Sequence, residues 1–155
     1  MLFILFRLGR EQYALEAVHV IEIVPRLPLR PQPGAPDFVA GLLNFRGNPV
    51  PVLDLGTLTL GAPCADQLST RIILIHYTLK SGRKRVLGLI AEAVTDAVKK
   101  EPDRFVDVDS GQAAHLGKIA LDERGMVQCI LPEHLLPESL EAMLFGETTP
   151  RGSAT

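Results

Sequence analysis

Tryptophan is missing from this 155-residue chain, and two tyrosines and six phenylalanines bring aromatic residues to only 5% of the sequence. A protein that grips proline-rich peptides or unstacked bases needs a platform of aromatic faces, and little is present here to build one. Neither sign of charge dominates, because 16 Lys and Arg stand against 18 Asp and Glu. The chain therefore has no global positive field to draw in phosphate backbones, and nucleic acid is not an expected partner. Cysteine is scarce. Cys64 and Cys129 lie far apart with neither a Cys-x-x-Cys spacing nor a neighbouring histidine, so the sequence offers no metal or redox motif and suits a reducing cytoplasm. Long hydrophobic runs are lacking as well. The apolar opening Met1 to Phe6 has no basic residue ahead of it and stops at Arg7, too short for a signal sequence or a membrane span. The expectation is a cytoplasmic protein with no direct membrane insertion.

What is present is an ordinary self-folding composition, 46% hydrophobic and 22% charged, in a length suited to one domain or two small subdomains sharing a core. Twelve prolines and thirteen glycines cut the apolar residues into short runs, the punctuation of small strands and tight turns. Leu2 to Leu8 is apolar on both faces of a period-two ribbon, so this strand is expected to be covered on both sides. After a turn at Gly9 to Gln12, Tyr13 to Val24 forms another apolar segment, in which Glu22 is the outward-facing exception. Pro25, Pro28, Pro31, Pro33 and Pro36 remove too many backbone donors for a central strand and mark an extended surface connection. Gly41 to Phe45 and Asn48 to Leu55 read as the arms of a hairpin about Arg46-Gly47, with Pro49 and Pro51 pointing to an edge. Leu55 to Gly61 reads as a helical turn. Arg71 to Tyr77, a turn at Lys80 to Gly82, and Val86 to Ile90 make a second hairpin. Val94 to Val98 and Met126 to Leu131 are further short strands, the latter placing Cys129 among packed residues. Pro137 to Phe145 carries apolar residues at helical spacing. Residues 146–155 have no apolar stripe and read as a flexible tail, leaving 1–145 as the folded unit. Many short antiparallel strands with little helix point to small closed barrels.

Catalytic chemistry is hard to place on these residues. His19, His76, His115 and His134 occupy unrelated spacings, and no Ser69, Ser81, Ser110 or Ser139 lies in a nucleophile elbow. Arg83-Lys84-Arg85 and Lys99-Lys100 are the basic clusters, and they read as solvated strand ends. The segment Gly41 to Leu55 is different, because it sets Asn44, Arg46 and Asp54 among apolar strand residues, where charges require partners. Arg46 offers forked donors, and Glu22, also set in an apolar strand, is its candidate acceptor. Such a pair either fixes strand register or anchors an interface.

The same segment resembles the CheW-like domain family of bacterial chemotaxis. Phe6-Arg-Leu-Gly9 with Tyr13 is similar to the family's opening strand and turn, Val20-Ile-Glu-Ile23 to its Val-x-Glu-Ile segment, and Pro36 to Gly41 to its approach to the hairpin. Asn44-Phe-Arg-Gly47 and Pro51-Val-Leu-Asp-Leu55 resemble its Asn-Leu-Arg-Gly and Pro-Val-x-Asp-Leu signature. Leu87 to Val94 is similar to its Gly-led strand ending in Asp-x-Val, and Leu116 to Ala120 to its late Gly-containing turn.

That resemblance implies a mainly β fold of two packed, five-stranded SH3-like barrels with a short C-terminal helix, no cofactor, no metal and no catalytic site. It implies an adaptor that couples the cytoplasmic helical tip of a chemoreceptor to the regulatory domain of a CheA-type histidine kinase. Carried over by motif, the receptor-binding residues are Val20, Glu22, Gly41 and Arg46; no motif transfers for the kinase-binding surface. Phe45, Pro49 and Gly56 depart from the family pattern in and beside the hairpin, where altered residues select a partner. The competing expectation is a generic SH3-like peptide-binding module, which the scarcity of aromatic residues disfavours. A small hydrolase, the third reading, lacks an activated nucleophile.

Overall fold

The structure, a computed structural model, describes residues 1–108, 113–123 and 125–146. Its strands are β1 (Leu2–Leu8), β2 (Glu11–Glu16), β3 (Val20–Pro25), β4 (Val39–Phe45), β5 (Asn48–Asp54), β6 (Arg71–Thr78), β7 (Lys84–Ala91), β8 (Ala97–Lys99), β9 (Phe105–Val106), β10 (Leu116–Asp122) and β11 (Gly125–Ile130). Helix α1 (Leu55–Leu60) follows β5, and α2 (Glu138–Phe145) follows β11. The architecture is mainly β. One sheet has six strands in the order β8-β1-β2-β11-β10-β9, and the other has five in the order β3-β6-β7-β5-β4.

Both sheets curl until their ends approach. In the five-stranded sheet, β3 and β4 are the two ends of the order, yet the turn leaving β4 puts Arg46 in contact with Glu22 of β3. In the six-stranded sheet, Phe105 of terminal β9 packs on Phe3 of β1 with ring centroids 5.1 Å apart. Closure of this kind removes the exposed strand edges of an open sheet.

The doubly apolar first strand explains how the sheets share a core. Phe3 and Leu5 point into a small cluster with Ala14, Phe105, Ala120 and Val127. Ile4, Phe6 and Leu8 point the other way and join Leu43, Val52, Ile73 and Leu89 of the five-stranded sheet. Each fully buried aliphatic side chain contributes about 1.5–3 kcal/mol of transfer free energy, so β1 belongs energetically to both layers. Paired backbone hydrogen bonds between Arg7 and Glu92, at 2.7 and 3.0 Å, stitch the end of β7 to β1.

Several local expectations are modified by the fold. The segment Tyr13 to Val24 is not one strand: Ala17–His19 is a 3-10 turn, and a bulge between Val20 and Glu22 breaks strict alternation in β3. The strands are not all antiparallel, because β2 runs parallel to β11 and β5 parallel to β7. Hairpins impose antiparallel pairing only on chain neighbours, and these pairs join distant segments. The Gly-containing stretch from Leu116 is strand β10, with its register slipping between Leu116 and Ile119, rather than a turn. Val94 to Val98 yields only β8, since Ala93 has a positive φ of 49° and Thr95 turns its backbone N–H onto the Leu5 carbonyl. Pro49 and Pro51 lie on an internal strand, but β5 meets β7 only from Val52 onward, so the proline-bearing half has one open flank. The expected tail beyond Gly146 lies outside the described residues, as does Ser110.

Candidate functional site

The β4–β5 connection is a two-residue hairpin loop closed by the Phe45–Asn48 pair, with φ of 54° at Arg46 and 84° at Gly47. Positive φ at both central residues matches the twist of the flanking strands, and Asn or Gly is the usual first residue. Arginine there is a costly choice, by about 1–2 kcal/mol. The turn is held by Asn44, whose Oδ1 accepts the Gly47 backbone N–H at 2.9 Å. Strain kept at one position in an otherwise well-satisfied turn points to a use for the side chain.

Arg46 Nη2 donates to Glu22 Oε1 at 2.8 Å, and its guanidinium lies 4.7 Å from the centre of the Phe45 ring. The two charged side chains stay 70% and 40% exposed. An ion pair this open to solvent contributes at most about 1 kcal/mol, so stability alone does not account for it. It holds the guanidinium in a fixed direction at the seam where the barrel closes. Val20 lies two residues before Glu22, half-buried, across the β3 bulge.

Gly41 is placed differently. It is buried, has φ 146°, and lies under the proline-rich strap, where Arg30 N donates to Leu42 O at 2.9 Å and Leu42 N to Arg30 O at 2.8 Å. A Cβ at this position would collide with the Arg30 carbonyl oxygen. The structure therefore brings Glu22 and Arg46 into contact with Val20 close by, and sets Gly41 beneath a backbone crossing. Asp54 is also no part of the surface. It is buried as the N-cap of α1, its Oδ1 accepting from the amides of Thr57 and Cys64, each at 3.1 Å.

Beside Arg46 is a cleft of about 480 Å³ that sequence reasoning did not anticipate. It opens between the proline-bearing half of β5 and the start of β7, with Phe45, Val50, Val86 and Phe145 as apolar lining and Arg46, Lys84 and Arg85 as the charged residues. The basic tripeptide was visible in the sequence, but its neighbours come from four separate elements. A second surface is apolar. On the outer face of the six-stranded sheet, Val106, Leu121 and Met126 are 60%, 65% and 63% exposed, with Leu121 directly opposite Met126.

The remaining chemistry-bearing residues are structural. His115 is buried against α1, its Nε2 3.0 Å from Thr59 Oγ1, and burial lowers its pKa. Burial pushes the Cys64 thiol up to about 12 and the Cys129 thiol to about 11, with Asp54 and Glu16 respectively adding to the effect. Both thiols are thereby poor nucleophiles. Among the described residues no group of three or more His, Cys, Asp or Glu is arranged to hold a metal, and no helix is long and apolar enough to cross a membrane.

A family model described as CheW-like domain matches residues 2–139. The chain is 29% identical over 150 residues to a probable chemotaxis protein CheW of Rhizobium etli, an alignment covering 94% of this chain and 87% of that protein. It is 26% identical over 145 residues to the chemotaxis protein CheW of Klebsiella aerogenes, covering 89% and 83%. The crystal structure of the scaffolding protein TtCheW from Thermoanaerobacter tengcongensis matches with a TM-score of 0.75 at 26% identity, over 86% of this chain and 90% of that one.

Proposed function

Since the chain belongs to the CheW-like domain family, we propose that it is a chemotaxis scaffold coupling the helical cytoplasmic tip of a chemoreceptor to the regulatory domain of a CheA-type histidine kinase. It works by interacting with other chemotaxis signalling proteins, and we read it as non-catalytic. The observation that carries the receptor half is the Arg46–Glu22 pair, presented on a strained turn with both side chains open to solvent. Val20 supplies adjoining apolar surface for a helix, and Arg46 fixes its direction through charge-assisted hydrogen bonds. Gly41 acts indirectly, by letting the strap cross β4 and so holding the hairpin. The exposed apolar strip of Val106, Leu121 and Met126 supplies a second, separate face, which we assign to the kinase. Two faces on one rigid body raise the effective concentration of kinase at the receptor without any covalent step.

The peptide-module alternative gains nothing from the fold, because Tyr13 and Tyr77 are both buried in the core. Co-sedimentation with a receptor cytoplasmic fragment, alongside titration with the kinase regulatory domain, tests the proposal. Arg46→Glu is expected to weaken receptor binding by more than roughly tenfold, a loss above about 1.4 kcal/mol, and to leave kinase binding intact. Undiminished receptor affinity in a folded Arg46→Glu protein would remove the assignment.

A further inference from the structure

The proline-rich strap between β3 and β4 crosses Gly41 but lies outside the surfaces assigned to receptor and kinase. Its sequence has a period of its own, because Pro25, Pro28 and Pro31 recur at every third residue. Proline fixes φ at about −65°, and a residue that precedes proline is held out of the helical region, which restricts Leu27 and Arg30 as well. Five of the seven residues 25–31 are thus confined to extended backbone before any tertiary contact forms. The regular form of such a chain is the left-handed polyproline helix, with about three residues per turn.

The same period appears in the burial. Leu29 and Gln32, three residues apart, are half-buried, and Leu29 packs onto the main core over Gly41. Pro25, Pro28 and Pro31 are exposed, and so are Leu27 and Arg30 on the next edge. With one edge seated on the barrel, the prolines form a ridge facing solvent. Residues 26–29 belong to no strand or helix, yet the stretch is pinned at both ends, by the pairing of Pro25 with Arg71 of β6 and by the reciprocal backbone bonds between Arg30 and Leu42. Beside Pro28 and Arg30 is a hollow of about 370 Å³, lined also by Leu42, Asn44 and Pro49, which leaves a partner room to straddle the ridge.

We propose that residues 25–31 are a docking ridge for a further protein partner, one with a groove that is lined by aromatic side chains, reads proline in an extended chain and ends in a carboxylate that pairs with Arg30. The chain has few aromatic faces with which to bind such a segment, and presents the segment instead. Prolines on one exposed edge fill successive aromatic slots, while the polyproline backbone, which makes no internal hydrogen bonds, offers its carbonyls to donors of the groove. Little conformational entropy is lost on docking, because the backbone is already restricted and pinned. Arg30, exposed and two residues past Pro28, gives a direction to a ridge that is otherwise nearly the same read either way. A helical receptor tip offers no groove of this kind, so the proposal stands apart from the reading of Arg46.

The chain has no tryptophan, so the indole emission of a partner's groove reports occupancy without background. The test titrates the full chain into a panel of purified SH3 domains that carry a groove tryptophan and an acidic groove end, and repeats the titration with Pro28→Ala, Arg30→Glu and Arg46→Glu, each confirmed folded by its thermal melt. A saturable change in emission is expected with at least one domain, weakened roughly tenfold by Pro28→Ala and by Arg30→Glu and unchanged by Arg46→Glu. Pro28→Ala should keep its affinity for a receptor cytoplasmic fragment and for the kinase regulatory domain. No saturable binding to any domain overturns the proposal, and so does binding that either strap variant leaves unchanged, since the contact would then lie elsewhere. Loss of receptor or kinase binding in folded Pro28→Ala also overturns it, because the ridge would then belong to the adaptor contacts.

Discussion

At the scale of single residues, two positions carry checkable consequences for stability. Arg46 adopts a φ of 54° that asparagine tolerates far better, and its exposed ion pair offsets little of that cost. Arg46→Asn is therefore expected to leave stability unchanged or raise it by up to about 1 kcal/mol while receptor binding falls. Chemical denaturation together with co-sedimentation checks both halves; a clear loss of stability would mean that the pair is structural. His115 is the second. Burial lowers its folded pKa below the ordinary 6.5, so between the two values the unfolded chain holds more protons than the folded one. Its contribution is fully present above pH 6.5 and is lost as the pH falls from there through the folded pKa. Stability measured from pH 7.5 to 5 should decline, and His115→Gln should flatten that part of the slope.

Among the elements, α2 owes its position to one buried acid. Glu141 accepts from the Tyr77 hydroxyl at 2.7 Å, from the Lys80 backbone N–H at 3.0 Å and from the Lys80 ammonium at 3.3 Å. Desolvation pushes its carboxyl up, but these donors together outweigh it and hold the pKa below the ordinary value of 4.5. This latch is present above pH 4.5 and is released as the pH drops through the lower folded value. Glu141→Ala leaves the Lys80 backbone N–H without its acceptor and the buried Tyr77 hydroxyl with only the Leu136 carbonyl at 3.5 Å, an expected loss of about 2 kcal/mol. Hydrogen exchange should show α2 and the β6–β7 turn loosening before the rest of that sheet; uniform destabilisation would refute the latch.

For the whole molecule, the question is whether two curled sheets behave as two units. The main cluster takes Phe6, Leu8 and Leu15 from one sheet and Leu53, Ile73 and Leu89 from the other, all nearly or fully buried. A core shared to this degree predicts one cooperative transition for residues 1–145. Tyr13 on β2 and Tyr77 on β6 place one natural reporter in each sheet. In each single Tyr→Phe variant, the remaining tyrosine's fluorescence and the far-UV circular dichroism are expected to share a midpoint in denaturant. Separate midpoints would show independent barrels.

The doubly covered β1, the two hairpins, about Arg46-Gly47 and between β6 and β7, and the C-terminal helix were legible in the amino-acid order, because each follows from local periodicity and turn chemistry over a few residues. The Glu22–Arg46 pair was legible too, since two charges set in apolar strands need each other. What the order left undecided belongs to contacts between distant segments. Parallel pairing of β2 with β11 and of β5 with β7, the register slip in β10 and the slot beside Pro49 depend on how the closed sheets meet. So does the role of Gly41, which reads as a surface position until the strap is laid across it. Short-range preferences act along the chain; burial of a common core acts across it, and only the latter decides which charges become neighbours.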